Sequence, residues 1–573
     1  MTQKQPGLAS LTPVLLSLVG LVARVAAGTV SVVVPGLGRV VGRDFGDYHA
    51  FLDIPFGLST AGEYRWAAPR PVAAWENGTL DATAFRDGCA GANKGGDPVG
   101  PDAQSFSEDC LNLRIWAPPP STDPDADPGG QLPVAVWLHG GGFMFGTTGD
   151  PMYDGRAYAR DHGTVLVSLN YRLGALGFLA TPNEGGDAKY DLSGNYGLLD
   201  QQLGLRWVQD HIQAFGGDPS RVLLFGQSAG AMSIVCHLAS PASHGLFHAA
   251  EIRSPVGLHY QNAAEAKAHA GTLATALGCL PFGEGIVPCL RKKSFADIVK
   301  MQLAPEYIRH LTDPGHGINW LEWVPTVGNT VLPREPHDII VNNGSWNRVP
   351  LIIGSMRNET NAWLPTALED ESIAKLVFDS VMRINWGKGS SDRVAAAYSH
   401  AGLTWFELVG LSSTDWLMSC YCRRLARAAA KQGVPTFLYQ FLHPNSKFGD
   451  PTNAMQPFPS HPACVDGRAA CHAGDNMYTM GSVDLIPNAS FTVFEANLSS
   501  LIIATTARLA ESIGGDYDSI VRAVAPLVPY DGVSSLAWGG VFDQESGREV
   551  LHSVIAGWRG DVCDFWDTMT PTS

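Results

Sequence analysis

Between Val222 and Leu238 a short apolar run enters Gly226-Gln227-Ser228-Ala229-Gly230 and leaves it as a second apolar segment. The first part, Val222–Phe225, reads as a strand buried on both faces, and Ala231–Leu238 as a helix. A buried strand that turns tightly into a helix constrains the whole chain. Parallel strands need a crossover between them, and helices used as crossovers cover both faces of the sheet. The same type of run recurs at Val134–Leu138, Val165–Leu169, Leu351–Ile353 and Phe437–Phe441. Long helical stretches separate these runs. In Leu198–Phe215, for example, Leu198, Leu199, Leu203, Leu205, Val208 and Ile212 approximate one face. The reading is an α/β fold, with a large, mostly parallel central sheet covered by helices on both faces. No repeat is visible, and the turn-rich Pro118–Gln131 reads as a surface loop. Residues 28–573 are therefore expected to form one large domain.

Residues 1–27 stand apart. Lys4 precedes the apolar run Leu11–Ala23, and Val25-Ala26-Ala27 offers small residues for cleavage. That is the layout of a secretory signal peptide. The run is shorter than the ~20 residues that span a bilayer, Arg24 closes it, and no later stretch suggests a membrane span. Ten cysteines fit an oxidising compartment. Sequons at Asn77, Asn343, Asn358, Asn488 and Asn497 fit the same route, so a secreted glycoprotein is expected. The formal charge of −16 repels phosphate backbones and argues against a nucleic-acid partner.

Two glycine-rich turns carry the chemistry. A serine at a strand-to-helix elbow is held in a strained turn with its hydroxyl exposed at the carboxyl edge of the sheet, which makes Ser228 the candidate nucleophile. The second turn, His139-Gly140-Gly141-Gly142, directly follows the strand at Val134–Leu138. Backbone N–H groups there could hold a developing oxyanion. Gly141 and Gly142, with Ala229, are the candidate donors, and His139 reads as a structural loop residue. Cys464 beside Cys471-His472 has the look of a zinc half-site, but a close cysteine pair in a secreted chain is more often a disulfide loop. No metal set is identified, and no cofactor is expected.

Longer stretches extend the pattern. Phe215–Gly230 resembles the serine signature of type-B carboxylesterases, the family of cholinesterases and of secreted fungal lipases and esterases. Ser107–Trp116, Asn170–Leu179 and Gly194–Gln201 resemble further signatures of it, and the likeness runs from about Val30 past His472. The resemblance implies the α/β-hydrolase fold and a serine esterase whose acid and base follow the serine. It places the acid at Glu359, in Gly354-Ser-Met-Arg-Asn-Glu-Thr360, with Asn358 and Thr360 where the family has Asp and Gly. Asn358 would then lie beside a buried site and stay unglycosylated, leaving Asn77, Asn343, Asn488 and Asn497. The base falls at His472, in Cys471-His-Ala-Gly-Asp475, with Ala473 and Asp475 replacing Gly and Glu. His461 is the runner-up. The resemblance also implies disulfides Cys89–Cys110 and Cys279–Cys289, with Cys464–Cys471 as a third that would steady His472. Cys236 reads as a buried thiol, and Cys420, Cys422 and Cys563 are left open. Arg65–Glu108 and Arg172–Asp200 resemble the family's internal ion pairs.

Departures from the family bear on substrate. The segment between Cys89 and Cys110 holds Phe106 and no tryptophan, which argues against choline esters. It is polar and glycine-rich, with no apolar helical face to serve as a lipase lid. Gln227 stands where a glutamate is frequent. The expected substrate is a small to medium soluble ester, in preference to a triglyceride. An acyltransferase or lactone-forming enzyme would use the same acyl-enzyme. A lipase and a catalytically silent adhesion protein are the remaining alternatives.

Overall fold

The computed structural model describes residues 28–91, 105–120, 130–181, 194–257, 259–279, 285–302, 321, 323–342, 344–398, 402–444, 461–486, 489–525, 527–531, 534–543, 548–556 and 560–569. The expected signal peptide, Asn343, Asn488 and most of the Cys89–Cys110 segment lie outside these residues.

The strands are β1 (Gly28–Val34), β2 (Gly38–Asp44), β3 (His49–Pro55), β4 (Thr79–Asp81), β5 (Asp87–Cys89), β6 (Ser105–Ser107), β7 (Asn112–Ala117), β8 (Leu132–Leu138), β9 (Val165–Leu169), β10 (Gly217–Gln227), β11 (Ala249–Arg253), β12 (Leu351–Met356), β13 (Thr436–Phe441), β14 (Ser534–Asp543) and β15 (Arg548–Ala556). One 13-stranded sheet runs in the order β1-β2-β3-β7-β9-β8-β10-β11-β12-β13-β14-β15, with β4 paired to β2. From β9 to β14 every pairing is parallel. The flanks β1-β2-β3-β7-β9 and β14-β15 are antiparallel. This is the α/β-hydrolase architecture, a mostly parallel sheet between helices.

Side chains alternate across a strand, so a strand buried on both faces must be apolar throughout. In β8, Val134, Val136 and Leu138 join one core while Ala135 and Trp137 join another. In β10, Val222 and Leu224 face the first core, and Leu223 and Phe225 face the other side. Helix Ala229–Ala239 packs in the first core, and helix Val493–Glu511 lies on the opposite face. The expected helix over Leu198–Phe215 is an α-helix, Tyr196–His211, closed by a 3-10 turn, Ile212–Phe215.

A separate apolar cluster joins helices Glu371–Trp386, Ser390–Ala397, Trp405–Thr414 and Gly560–Thr568. A disulfide between Cys420 and Cys563, 143 residues apart, staples it. The other disulfides are Cys89–Cys110, Cys279–Cys289 and Cys464–Cys471. Cys236 and Cys422 are buried thiols. Arg65 forks onto Glu108 through Nε at 2.6 Å and Nη2 at 2.5 Å. Arg172 forks onto Asp200 at 2.8 and 2.7 Å, and its backbone N–H donates to the same carboxylate at 3.0 Å. Both pairs are buried, so removing one partner would strand a charge at a cost of about 3–5 kcal/mol.

Candidate active site

The carboxyl ends of the parallel strands bring the expected residues together. Ser228 stands between β10 and helix Ala229–Ala239 with φ 58° and ψ −123°, a backbone conformation that a non-glycine residue adopts only under strain. Two contacts set the turn. The Ser228 N–H donates to the Arg253 carbonyl at 2.9 Å, and the Ser228 carbonyl accepts from Met232 at 2.8 Å. The flanking glycines are required by packing. A Cβ at Gly226 would lie 2.8 Å from the Leu138 carbonyl oxygen, and one at Gly230 would collide with that same oxygen. Thus the elbow is pressed onto the end of β8, where the glycine loop begins.

That loop meets the elbow directly. A Cβ on Gly140 would stand 2.9 Å from the Gln227 carbonyl oxygen and 3.0 Å from Ser228 Cβ. Gly141 and Gly142 take φ of 106° and 59°, open to glycine at no cost. Ala229 is the first residue of its helix, so its N–H has no acceptor within that helix. His139 is fully buried and stacks on Tyr171 at 4.4 Å. Burial drives its pKa down to about 4, leaving a neutral ring that bonds the Gly140 carbonyl at 2.9 Å. It is a scaffold residue.

Glu359 and His472 meet across two loops. His472 Nδ1 is 2.7 Å from Glu359 Oε2, the two side chains being almost wholly buried. The other carboxylate oxygen accepts the Met356 N–H at 2.7 Å, and the His472 N–H donates to the Glu359 carbonyl at 3.3 Å. The imidazole is therefore fixed from both its ring and its backbone, and the Trp363 ring lies 4.7 Å from it. His472 Nε2 lies 3.0 Å from the Gln227 amide nitrogen. Gln227 is thus the partner of Nε2. His461 has partners of its own: its Nδ1 accepts the Ala463 N–H at 3.2 Å, capping helix Pro462–Val465, and its Nε2 lies 3.4 Å from Glu369.

The family departures have local explanations. Thr360, where a glycine is usual, is buried and ties the Glu359 turn to helix Trp405–Thr414. Its hydroxyl donates to the Gly410 carbonyl at 2.9 Å and lies 2.7 Å from Ser413 Oγ. Asn358 donates its N–H to the Ala470 carbonyl at 2.9 Å. Ala473 takes φ 64°, the left-handed conformation that explains why glycine is common there. Among the described residues no group of side chains could hold a metal ion.

A strained serine beside a glycine loop, at the carboxyl edge of a parallel sheet, places this molecule in the α/β-hydrolase class. Residues 29–512 match the Carboxylesterase family, and the chain belongs to that family. It is similar to the para-nitrobenzyl esterase of Bacillus subtilis (strain 168), 34% identical over 420 residues, which cover 73% of this chain and 79% of that protein. It is also 34% identical to the cholinesterase of Mus musculus over 343 residues, 57% of this chain and 53% of that protein. A shorter stretch of 218 residues, 38% of each chain, is 44% identical to the fumonisin B1 esterase of Sphingopyxis macrogoltabida. The protein is a carboxylic ester hydrolase.

Proposed function

We propose that the protein is a secreted serine esterase that cleaves small to medium soluble esters through an acyl-enzyme. The observation that carries this reading is the buried 2.7 Å contact of His472 Nδ1 with Glu359, with His472 Nε2 3.0 Å from Gln227, next to the strained Ser228. Ser228 Oγ attacks the ester carbonyl while His472 Nε2 takes its proton. Glu359 holds the Nδ1–H tautomer and stabilises the imidazolium. The N–H groups of Gly141, Gly142 and Ala229 receive the oxyanion. The alcohol leaves with the proton from His472, and water then repeats the sequence on the acyl-enzyme.

For His472 to act, the Gln227 amide must give up Nε2 to the Ser228 hydroxyl. Soluble esters are favoured by the polar Cys89–Cys110 segment, and the stretch shared with a fumonisin B1 esterase makes that ester worth including in a panel. Secretion is supported by the four disulfides and the exposed Asn77 and Asn497. No helix among the described residues is long and apolar enough to cross a membrane.

The test is p-nitrophenyl butyrate hydrolysis by the secreted protein beside Ser228→Ala. We expect the variant to fold and to lose at least ~10³-fold in kcat. Equal rates in the two proteins would remove Ser228 from the mechanism. A chain-length series and an added alcohol acceptor would then distinguish soluble-ester hydrolysis from lipase or transferase activity.

A further inference from the structure

We propose that Arg253 and Asp475 form a positioning pair that ties the Ser228 elbow to the His472 loop. The inference rests on Ser228 and His472 being nucleophile and base. Arg253 ends β11, in parallel register with Gln227 on β10. Its carbonyl accepts the Ser228 N–H at 2.9 Å. Its guanidinium Nη1 donates to Asp475 Oδ2 at 3.2 Å. Asp475 lies in the turn that follows His472 and immediately precedes helix Asn476–Met480. One residue thus holds the nucleophile through its backbone and the base's loop through its side chain.

Asp475 is placed for this and not for the usual local duty. An aspartate just before a helix ordinarily caps the first free N–H groups. Asp475 makes no side-chain cap bond. Its carboxylate points inward to Arg253, and both side chains are fully buried. On the other side of the guanidinium sits Glu251, also fully buried and ion-paired to Arg253. Glu251 accepts the Thr506 hydroxyl at 2.8 Å, on helix Val493–Glu511, so this arm anchors the cluster away from His472. Burial pushes the Asp475 and Glu251 carboxyls up, and the Arg253 charge pulls both back. Three buried charges are a poor source of stability, since packed apolar residues often do as well. What such a cluster supplies is a fixed distance between the elements that bear it.

The experiment measures kcat, KM and melting temperature for Asp475→Asn, Asp475→Glu, Arg253→Lys and Glu251→Gln, with Ser228→Ala as control. A displacement of about 1 Å in a reacting group can cost ~10²-fold in rate. Asp475→Asn is therefore expected to lower kcat by ~10–100-fold with KM within about twofold. Asp475→Glu, which returns the carboxylate, should recover most of that loss. Arg253→Lys keeps both carboxylates compensated while removing the fork, and should lower kcat by ~10-fold if Asp475→Asn does not fold. Glu251→Gln should lower the melting temperature and leave kcat within about twofold. Wild-type kcat in Asp475→Asn and Arg253→Lys, or in whichever of the two folds, with Ser228→Ala inactive, overturns the pair. So does a loss in Glu251→Gln as large as that in Asp475→Asn. Activity in Ser228→Ala would instead overturn the site on which the pair depends.

Discussion

The elbow and the two loops that face it are built on different principles. Around Ser228 the geometry comes from backbone pressed on backbone: Gly226 and Gly230 against the Leu138 carbonyl, Gly140 against Gln227. Around Glu359 and His472 it comes from polar contacts and a covalent link: hydrogen bonds of the backbone, the Thr360 hydroxyl, the Asp475 carboxylate and the Cys464–Cys471 bond. Glycines held by steric exclusion tolerate almost no change in residue type, although Gln227 between them departs from the family. A region held by polar contacts can exchange one solution for another, and here it has: Asn358, Thr360, Ala473 and Asp475 all depart from the family pattern.

The comparison can be broken most sharply at Gly230. Gly230→Ala drives a methyl group into the Leu138 carbonyl, and we expect a loss above about 4 kcal/mol, read as failure to fold or to hydrolyse p-nitrophenyl butyrate. A stable, active variant would show that the elbow yields.

Acid should also strike the elbow side. Burial lowers the pKa of His139 to about 4 and of His237 to about 3, below the unfolded value near 6.5. The unfolded chain then binds the proton first, so this contribution to stability is complete above pH 6.5 and is lost as pH falls toward 4. The loss for His139 is on the order of 3 kcal/mol. Urea unfolding at pH 7 and pH 5 should show the decline, and His237→Gln should make it shallower. An unchanged slope in that variant would contradict the assignment.

On the Glu359 turn, Thr360→Val removes a hydroxyl shared with Gly410 and Ser413. A cost of about 1–3 kcal/mol in melting experiments is expected, with kcat reduced through Glu359. Loss as complete as that of Gly230→Ala would erase the contrast between the regions. The smallest effect lies in the histidine loop. Ala473→Gly relieves a left-handed alanine and should be neutral or stabilising by up to about 1 kcal/mol, with activity kept.

The same contrast decides what the sequence made legible. The glycines at 226, 230 and 140–142 could be read because no other residue fits there, and the central strands because burial on two faces demands apolar residues. Glu359 and His472 are reached only through family resemblance, since they stand on short turns without a period. Strand β11, with Glu251 and Arg253 inside it, carries charges where a buried strand is expected to be apolar, and its residues gave no strand signal. The antiparallel flanks, β1-β2-β3 and β15, likewise add edges that the crossover argument does not foresee. Thr360 reads as a broken motif until helix Trp405–Thr414 is seen to receive its hydroxyl. Between Cys420 and Cys422 only the position of Cys563 in space chooses.

That long disulfide has a topological consequence. His472 and the Cys464–Cys471 loop lie within the covalent ring closed by Cys420 and Cys563. A protease that cuts once inside this ring leaves the two pieces joined, and His472 remains tethered to the body that carries Ser228. In a setting rich in proteases, a single nick would yield a clipped enzyme instead of two separate fragments, with reduction of the bond as the event that parts them.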